Sequence, residues 1–421
     1  MAFAPRHHPP YFLLAVRFHP PYIEDDNAHT FLTTFVEFHE VDTILIVCFS
    51  YHSKKEDAMA TITLFPGRYV QGGGAVTRLG EELSRFGKRH FIISSPHPLE
   101  HLLPPVLPSI EAVGAVRVER FNRQCTDAEI ARLLGLVQEF GADTITAVGG
   151  GKTLDTAKAV ASQAKIPCAM VPTIASTDAP CSSVCVVYSE EGVFQRADIL
   201  PTNPNLVIVD TNVIVQAPAR FLVAGMGDAL ATWFEAESCR IRRGRNIAGS
   251  VGSMTAYALA KLCYETVRDY GLSALTACEA GVVTPALERI VEANTLLSGL
   301  GFESGGLAAA HSIHNGLTVL PAVQHLYHGE KVAFGVLASL FLTDQPMHRI
   351  DEVYTLCASL GLPTTLSDLG LEGVSDEELL CVAEKACAEE ESIHNEPVEI
   401  TPHRILSVLK AADAEGRRRM A

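Results

Sequence analysis

Positive charge is in short supply in this 421-residue chain. Against 49 Asp and Glu stand 33 Lys and Arg, giving a formal net charge of -16 and a pI near 5.4. A nucleic-acid backbone or an anionic membrane would be repelled by such a surface, so neither is expected as the main partner. Long apolar runs are missing as well. The stretch Ala333 to Leu342 falls well short of the roughly 18 to 20 residues that span a bilayer. CxxC pairs are absent, and the 11 cysteines, an odd number, are scattered from Cys48 to Cys387. That spacing fits neither a disulfide framework nor a zinc ribbon, so a reducing compartment, the cytoplasm, is expected. What is present is a hydrophobic content of 48%, enough to fill sizeable cores in two or three domains.

The first 58 residues do not match the rest. In "MAFAPRHHPPYFLLAVRFHPPYIEDD", proline pairs and histidines flank a short apolar segment. It has neither the apolar region and cleavage site of a secretory signal nor a clean Arg/Ser amphipathic helix, so a mitochondrial leader stands only as a minor alternative. Residues 1–58 are expected to be a disordered extension or a mis-assigned start, with "MATITLFPGRYVQGGG" from Met59 opening the first strand and turn.

From Thr61 the pattern is regular. The apolar strand His90 to Ser95 precedes Thr126-Asp127-Ala128-Glu129, a capping box that opens a helix with Ile130, Leu133, Leu134, Val137 and Phe140 on one stripe. Gly141 ends that helix, Thr144 to Val148 reads as a strand, and three glycines lead into a further helix and the strand Pro167 to Val171. Strand, glycine turn, helix and strand make a βαβ unit, the building block of parallel sheets. A hairpin over Val184 to Ala197, turning at "SEEG", and a strand at Asn205 to Asp210 follow. Beyond Pro218 the texture becomes helical, with segments such as Phe221 to Glu237, Gly252 to Val267, Pro285 to Leu300 and Arg404 to Ala412. A helical second domain facing the sheet across a cleft is expected.

The glycine run "TAVGGGKTLDTAKAVA" invites an ATPase reading that its spacing rejects. A Walker A loop requires glycine where Thr146 stands, and GxGxxG fails at Leu154. The physics common to both motifs survives, since small residues and a helix N-terminus suit a pyrophosphate. The next loop, Pro172 to Ser183, gathers Thr173, Ser176, Thr177, Ser182 and Ser183 around the carboxylate Asp178, at the end of a strand where ligands of open α/β sheets bind. In the helical part, Asp228 lies among apolar residues, where an unpaired carboxylate is costly to bury. His311 and His314 share one helix face, and His325 and His328 precede another helix. One Asp and two of these His could hold a divalent ion with open positions.

The runs "GGGKTLDTAKAVA", "STDAP", "GDALATWFEA", "VTPALE..VEANTLLSGLGFESGGLAAAHSIHNG" and "HGEKVAFG", in that order, resemble the iron-containing (group III) alcohol dehydrogenase superfamily from about Thr61 to Ala412. The resemblance implies a dehydroquinate synthase-like architecture. Residues 59–218 would form an α/β nucleotide-binding domain with a parallel sheet, and residues 219–421 an all-α, metal-binding domain. It also implies a homo-oligomer that oxidises glycerol reversibly to dihydroxyacetone with NAD and Zn2+, a donor set that would accept Fe2+ too. Asp228, His311 and His328 would be the metal ligands, with His314 beside them, and Asp178 the catalytic residue contacting the polyol. Gly149, Gly150, Gly151, Lys152, Thr153, Leu154, Asp155, Thr173, Ser176, Ser182, Val184 and Tyr188 would line the cofactor site.

Where the family has an aspartate for the adenine ribose, this chain has Ser95, which weakens the expectation of strict NAD preference over NADP. Three other readings stand beside this one. A relative acting on another 1,2-diol or on glycerol phosphate is disfavoured, for the phosphate, by the lack of an arginine cluster at the "STDAP" loop. A lyase on a related scaffold would show no net NADH production. A binding protein that had lost the chemistry should have lost Asp228 or a histidine, and all are present.

Overall fold

The computed structural model describes residues 60–420 together with two strands, Leu32–Val36 (β1) and Leu45–Phe49 (β2), which pair antiparallel with Leu32 opposite Phe49. The chain divides into two compact units, Met1–Met59 and Ala60–Ala421. Apart from β1 and β2, the expectation for residues 1–58 lies outside the described residues. Everything that follows concerns the second unit.

Six parallel strands form its sheet: Tyr69–Gly72 (β3), Arg89–Ser94 (β4), Ala115–Arg120 (β5), Thr144–Gly149 (β6), Cys168–Pro172 (β7) and Leu206–Asp210 (β10). Their order is β3-β10-β7-β6-β4-β5. Strands β6, β7 and β10 are buried along their whole length, as parallel strands covered on both faces must be, which is why they read as unbroken apolar runs. The chain runs from β4 outward to β5 and then returns to β6 on the other side of β4. This reversal places a crevice at the carboxyl ends of β4 and β6, the position where such sheets take their ligands. The sequence-predicted hairpin is present as Val184–Tyr188 (β8) and Phe194–Ile199 (β9), with Gly192 in the left-handed region at its turn.

Helix α1 (Asp127–Phe140) starts where the capping sequence predicts, and Thr126 Oγ1 accepts the Glu129 N–H at 3.2 Å. The box does not close. Glu129 turns away to accept the Asn122 N–H at 3.1 Å and pairs with Arg132. Gly141, at φ 64°, ends the helix. Helix α2 (Gly151–Ala164) follows the glycine turn.

The remainder is helical: Ala219–Arg242 (α3), Met254–Glu279 (α4), Pro285–Glu292 (α5), Ser298–Gly305 (α6), Ala309–Leu317 (α7) and His328–Leu342 (α8), with three further α-helices reaching Met420. A π turn, Ala293–Leu297, joins α5 directly to α6. After its polar first turn, His328 to Lys331, helix α8 is apolar on all sides save for Ser339 and nearly all of it is buried, which makes it the central helix of this half. One core cluster runs without a break from Leu154 and Val209 beside the sheet to Val223, Leu287 and Phe334 in the helices. Among the described residues no helix is long and apolar enough to cross a membrane.

Candidate active site

The glycine turn divides its labour by position. Gly149 is closed in: a Cβ there would meet Ser95 Oγ at 2.2 Å and Thr153 Oγ1 at 2.7 Å. Gly151 is open, with Thr177 Oγ1 at 3.7 Å as the nearest atom to a Cβ. Gly150 precedes α2, and no side chain caps that helix, so its first amides are available to an anion. Lys152 is exposed beside them, donating to Gln124 Oε1 at 2.6 Å and lying over the Tyr188 ring at 4.8 Å. Thr153, Leu154 and Asp155 are turned inward. Thr153 shares a hydrogen bond of 2.7 Å with Ser95, at the carboxyl end of β4. The Asp155 carboxylate contacts Lys158 Nζ at 3.0 Å and accepts the Val186 N–H at 3.2 Å.

Sequence reading passed over Lys158. Its ammonium is buried and donates to the carbonyls of Ala179 (3.0 Å), Ser182 (3.3 Å) and Val184, so it folds the Pro172–Ser183 loop back onto α2. The available signal was a pair of opposite charges at i, i+3 inside the apolar run of α2. Thr173, Ser176, Val184 and Tyr188 are partly accessible along this loop and hairpin, whereas Ser182 is buried.

Across the crevice, Asp228, His311 and His328 converge from α3, α7 and α8, their donor atoms all within 4.8 Å of one another. Asp228 Oδ1 lies 3.4 Å from His311 Nε2 and 3.2 Å from His328 Nε2. Glycines bring the helices this close. A Cβ on Gly329 would sit 1.8 Å from the Ala224 carbonyl, one on Gly227 2.4 Å from the Gly329 carbonyl, and one on Gly335 2.4 Å from the Ala310 carbonyl. His314 is not one of the three but stands beside them, its Nε2 3.1 Å from His328 Nδ1. His325 is exposed and bonded to the Ala322 carbonyl.

Both Asp228 carboxylate oxygens are buried and accept no hydrogen bond. Such a group normally finds partners, and here two imidazole nitrogens aim at the same point. Three convergent lone-pair donors of N, N and O type fit a divalent cation. Burial opposes charge on Asp228, yet His328 and His311 hold its carboxyl well below the usual carboxylate range. Burial likewise opposes charge on His311, but Glu235 and Asp228 lift its pKa well above that of an ordinary histidine. His314 moves the other way, depressed by burial and by His328, Lys331 and His311. Asp178 is pushed up by burial and then by the charge on Asp228.

A second residue missed in the sequence is Glu235, fully buried two turns after Asp228 on α3. Its Oε2 accepts from His311 Nδ1 at 2.6 Å, and its Oε1 accepts the N–H groups of Ala308 (3.0 Å) and His311 (2.9 Å). With a ring proton held on Nδ1 by Glu235, Nε2 is the His311 atom that faces Asp228 and the one a metal ion would take in place of a proton. The i+7 spacing from Asp228 on an apolar helix was the signal that could have found it.

The chain as a whole has known relatives. Residues 66–211 match the family described as iron-containing alcohol dehydrogenase. The glycerol dehydrogenase of Thermotoga maritima is 59% identical over 361 residues, covering 86% of this chain and 99% of that protein. The Escherichia coli glycerol dehydrogenase is 48% identical, covering 86% and 98%. The crystal structure of glycerol dehydrogenase from Schizosaccharomyces pombe superposes with a TM-score of 0.82 at 39% identity, covering 86% of this chain and 92% of that one. The chain belongs to the iron-containing alcohol dehydrogenases and, within them, to the glycerol dehydrogenase family.

Proposed function

We propose that this chain catalyses the reversible NAD-dependent oxidation of glycerol to dihydroxyacetone, at a site formed by the carboxyl ends of β4 and β6 and the Asp228, His311, His328 trio. The observation that carries this reading is the convergence of those three donors on buried, unpartnered Asp228 oxygens. The activity of the relatives, 48% and 59% identical over most of the chain, supports it.

When bound, a divalent ion supplies Lewis acidity to an alcohol oxygen and NAD supplies the acceptor for the hydride. The chain's own residues do the rest. Gly150 to Lys152 present main-chain amides and one ammonium to the pyrophosphate, with Thr153, Leu154 and Asp155 bracing that turn from beneath. Thr173, Ser176, Val184 and Tyr188 flank the cofactor, and the sequence-predicted Ser182 is buried behind them, where its carbonyl accepts from Lys158. Asp228, His311 and His328 hold the ion, and Glu235 keeps the His311 ring in the tautomer that leaves Nε2 free. Asp178 accepts a hydrogen bond from a second hydroxyl of the substrate, which favours a vicinal diol.

Two imidazoles and one carboxylate leave open positions, the ligand count of catalytic zinc, so Zn2+ is the proposed ion, with Fe2+ the alternative such donors accept. A homo-oligomer in the cytoplasm completes the proposal. Ten cysteines outside β2 are all unpaired, which supports a reducing setting.

The test is NADH production from glycerol, followed by absorbance with NAD and in parallel with NADP, before and after chelation and after return of Zn2+. Activity that disappears with chelator and returns with zinc is expected, and the ratio of the two coenzymes reads the effect of Ser95. No activity from folded, metal-loaded protein with glycerol, propane-1,2-diol or dihydroxyacetone plus NADH would overturn the proposal.

A further inference from the structure

A carboxylate free to rotate discriminates poorly between alcohols, so what fixes Asp178 bears on selectivity. Its Oδ2 accepts a hydrogen bond from Ser298 Oγ at 3.0 Å. Ser298, the first residue of α6, is fully buried, and its oxygen lies 2.9 Å from Thr232 Oγ1. A serine hydroxyl carries one hydrogen. With that hydrogen given to Asp178, Thr232 must be the donor to Ser298, so the two hydroxyls form a directed chain from Thr232 through Ser298 to Asp178. Thr232 stands four residues after Asp228 on α3, on the same helix face. The carboxylate of the loop is thereby tied to the helix that bears the carboxylate of the metal trio.

The surrounding contacts leave this chain in charge of the side chain alone. Asn294, inside the π turn, donates to the Ala175 carbonyl and to the Leu222 carbonyl, each at 3.0 Å. Glu303 at the far end of α6 accepts the Ser183 N–H at 2.7 Å and the Ser183 hydroxyl at 2.5 Å. Both ends of the loop backbone are therefore pinned. Between them, Gly299 lets the helix come against the loop, since a Cβ there would lie 3.2 Å from the Asp178 carbonyl oxygen and 3.0 Å from Cys181 Cβ.

From these contacts we propose that Ser298, oriented by Thr232, is a positioning residue that sets the direction of the Asp178 carboxylate and with it the preference for a vicinal diol over a monohydric alcohol. The proposal rests on the reading that Asp178 meets the substrate. Ser298 holds Oδ2 and leaves Oδ1 for a second substrate hydroxyl. A monohydric alcohol has no such hydroxyl, so its turnover does not depend on where Oδ1 points.

The experiment compares steady-state kinetics with glycerol and with propan-1-ol for zinc-loaded wild type, Ser298→Ala, Thr232→Val, Thr232→Ser and Asp178→Asn, with metal affinity measured in parallel by chelator competition. Loss of one buried hydrogen bond corresponds to roughly a tenfold effect. Ser298→Ala should raise KM for glycerol about tenfold with kcat changed less than about threefold, while KM for propan-1-ol and zinc affinity stay put. Thr232→Val, which keeps shape and loses the hydroxyl, should shift the ratio in the same direction, and Thr232→Ser should restore it. Equal losses on both alcohols, or a loss of zinc affinity in step with activity, would overturn the proposal in favour of a purely structural role. Should Ser298→Ala fail to fold, an unchanged ratio in Thr232→Val overturns it. A changed ratio in Asp178→Asn alone removes Ser298 from the account and leaves Asp178 in place. An unchanged ratio in Asp178→Asn removes both.

Discussion

On the sheet side of the crevice, Gly150 and Gly151 offer a ligand the main chain itself, at the start of α2. On the helical side, Asp228, His311 and His328 offer side-chain lone pairs from three helices, and Glu235, Glu396 and His314 stand buried behind them. A main-chain site is set by where the backbone turns, and a side chain affects it chiefly by getting in the way. A side-chain site built from buried polar groups depends on each member, because removing one leaves its partners unsatisfied in a dry interior. The two sides should therefore respond differently to mutation.

The largest effect is expected at the trio. Asp228→Asn should lower kcat/KM by on the order of a thousandfold, the size of several kcal/mol of Lewis-acid assistance. NADH binding, read by fluorescence, should change less than about threefold. If NADH binding fell together with activity, the separation of the two sides would be broken.

Next comes pH. Glu396 accepts from Ser238 Oγ at 2.6 Å and from the Ala309 N–H at the start of α7 at 3.0 Å. Burial, only partly offset by those bonds, pushes its pKa up to about 7. The folded chain thus keeps this proton up to about pH 7, whereas the unfolded chain releases it near pH 4. The stability it contributes is complete below about pH 4 and is lost as pH rises to 7, to the extent of roughly 3 kcal/mol. Melting curves of wild type and Glu396→Gln should therefore diverge in favour of the variant across that window and run parallel above it. Curves parallel throughout would show that Glu396 is not buried as described.

Glu235→Ala follows, with zinc affinity down about 10- to 100-fold by chelator competition and activity regained at excess metal. The smallest effect sharpens the contrast from the sheet side. Gly151→Ala adds a Cβ that meets nothing nearer than Thr177 Oγ1 at 3.7 Å, so its melting temperature should hold while KM for NAD rises about tenfold and zinc affinity stays the same. A rise in KM for glycerol of the same size would show that the substituent reaches beyond the cofactor.

The same contrast explains what could be read from sequence. The βαβ unit and the glycine turn are contiguous, and their strands are runs of buried apolar residues, so local pattern was enough to place β4, β6, α2 and β7 within a residue or two. Asp228 and the four histidines were legible as candidates because a charge in an apolar helix is costly. Which histidines meet Asp228 depends on Gly227, Gly329 and Gly335 crossing helices at close range, a contact between distant segments that no local pattern encodes. The same holds for Glu235 and Lys158, whose partners lie on other elements. The resemblance to a family supplied the trio that spacing alone left open.

One extra residue per turn has a consequence for the register of the chain. The π turn at Ala293–Leu297 lets α5 and α6 run on as one rod while offsetting everything after it. Deleting any single residue there would restore a regular helix and rotate α6 by about 100° relative to α5. Ser298 and Glu303 would swing off the loop together while Asn294 stayed near its place. A single deletion in this buried turn would therefore cost the hold on Asp178 and the clamp on Ser183 at once.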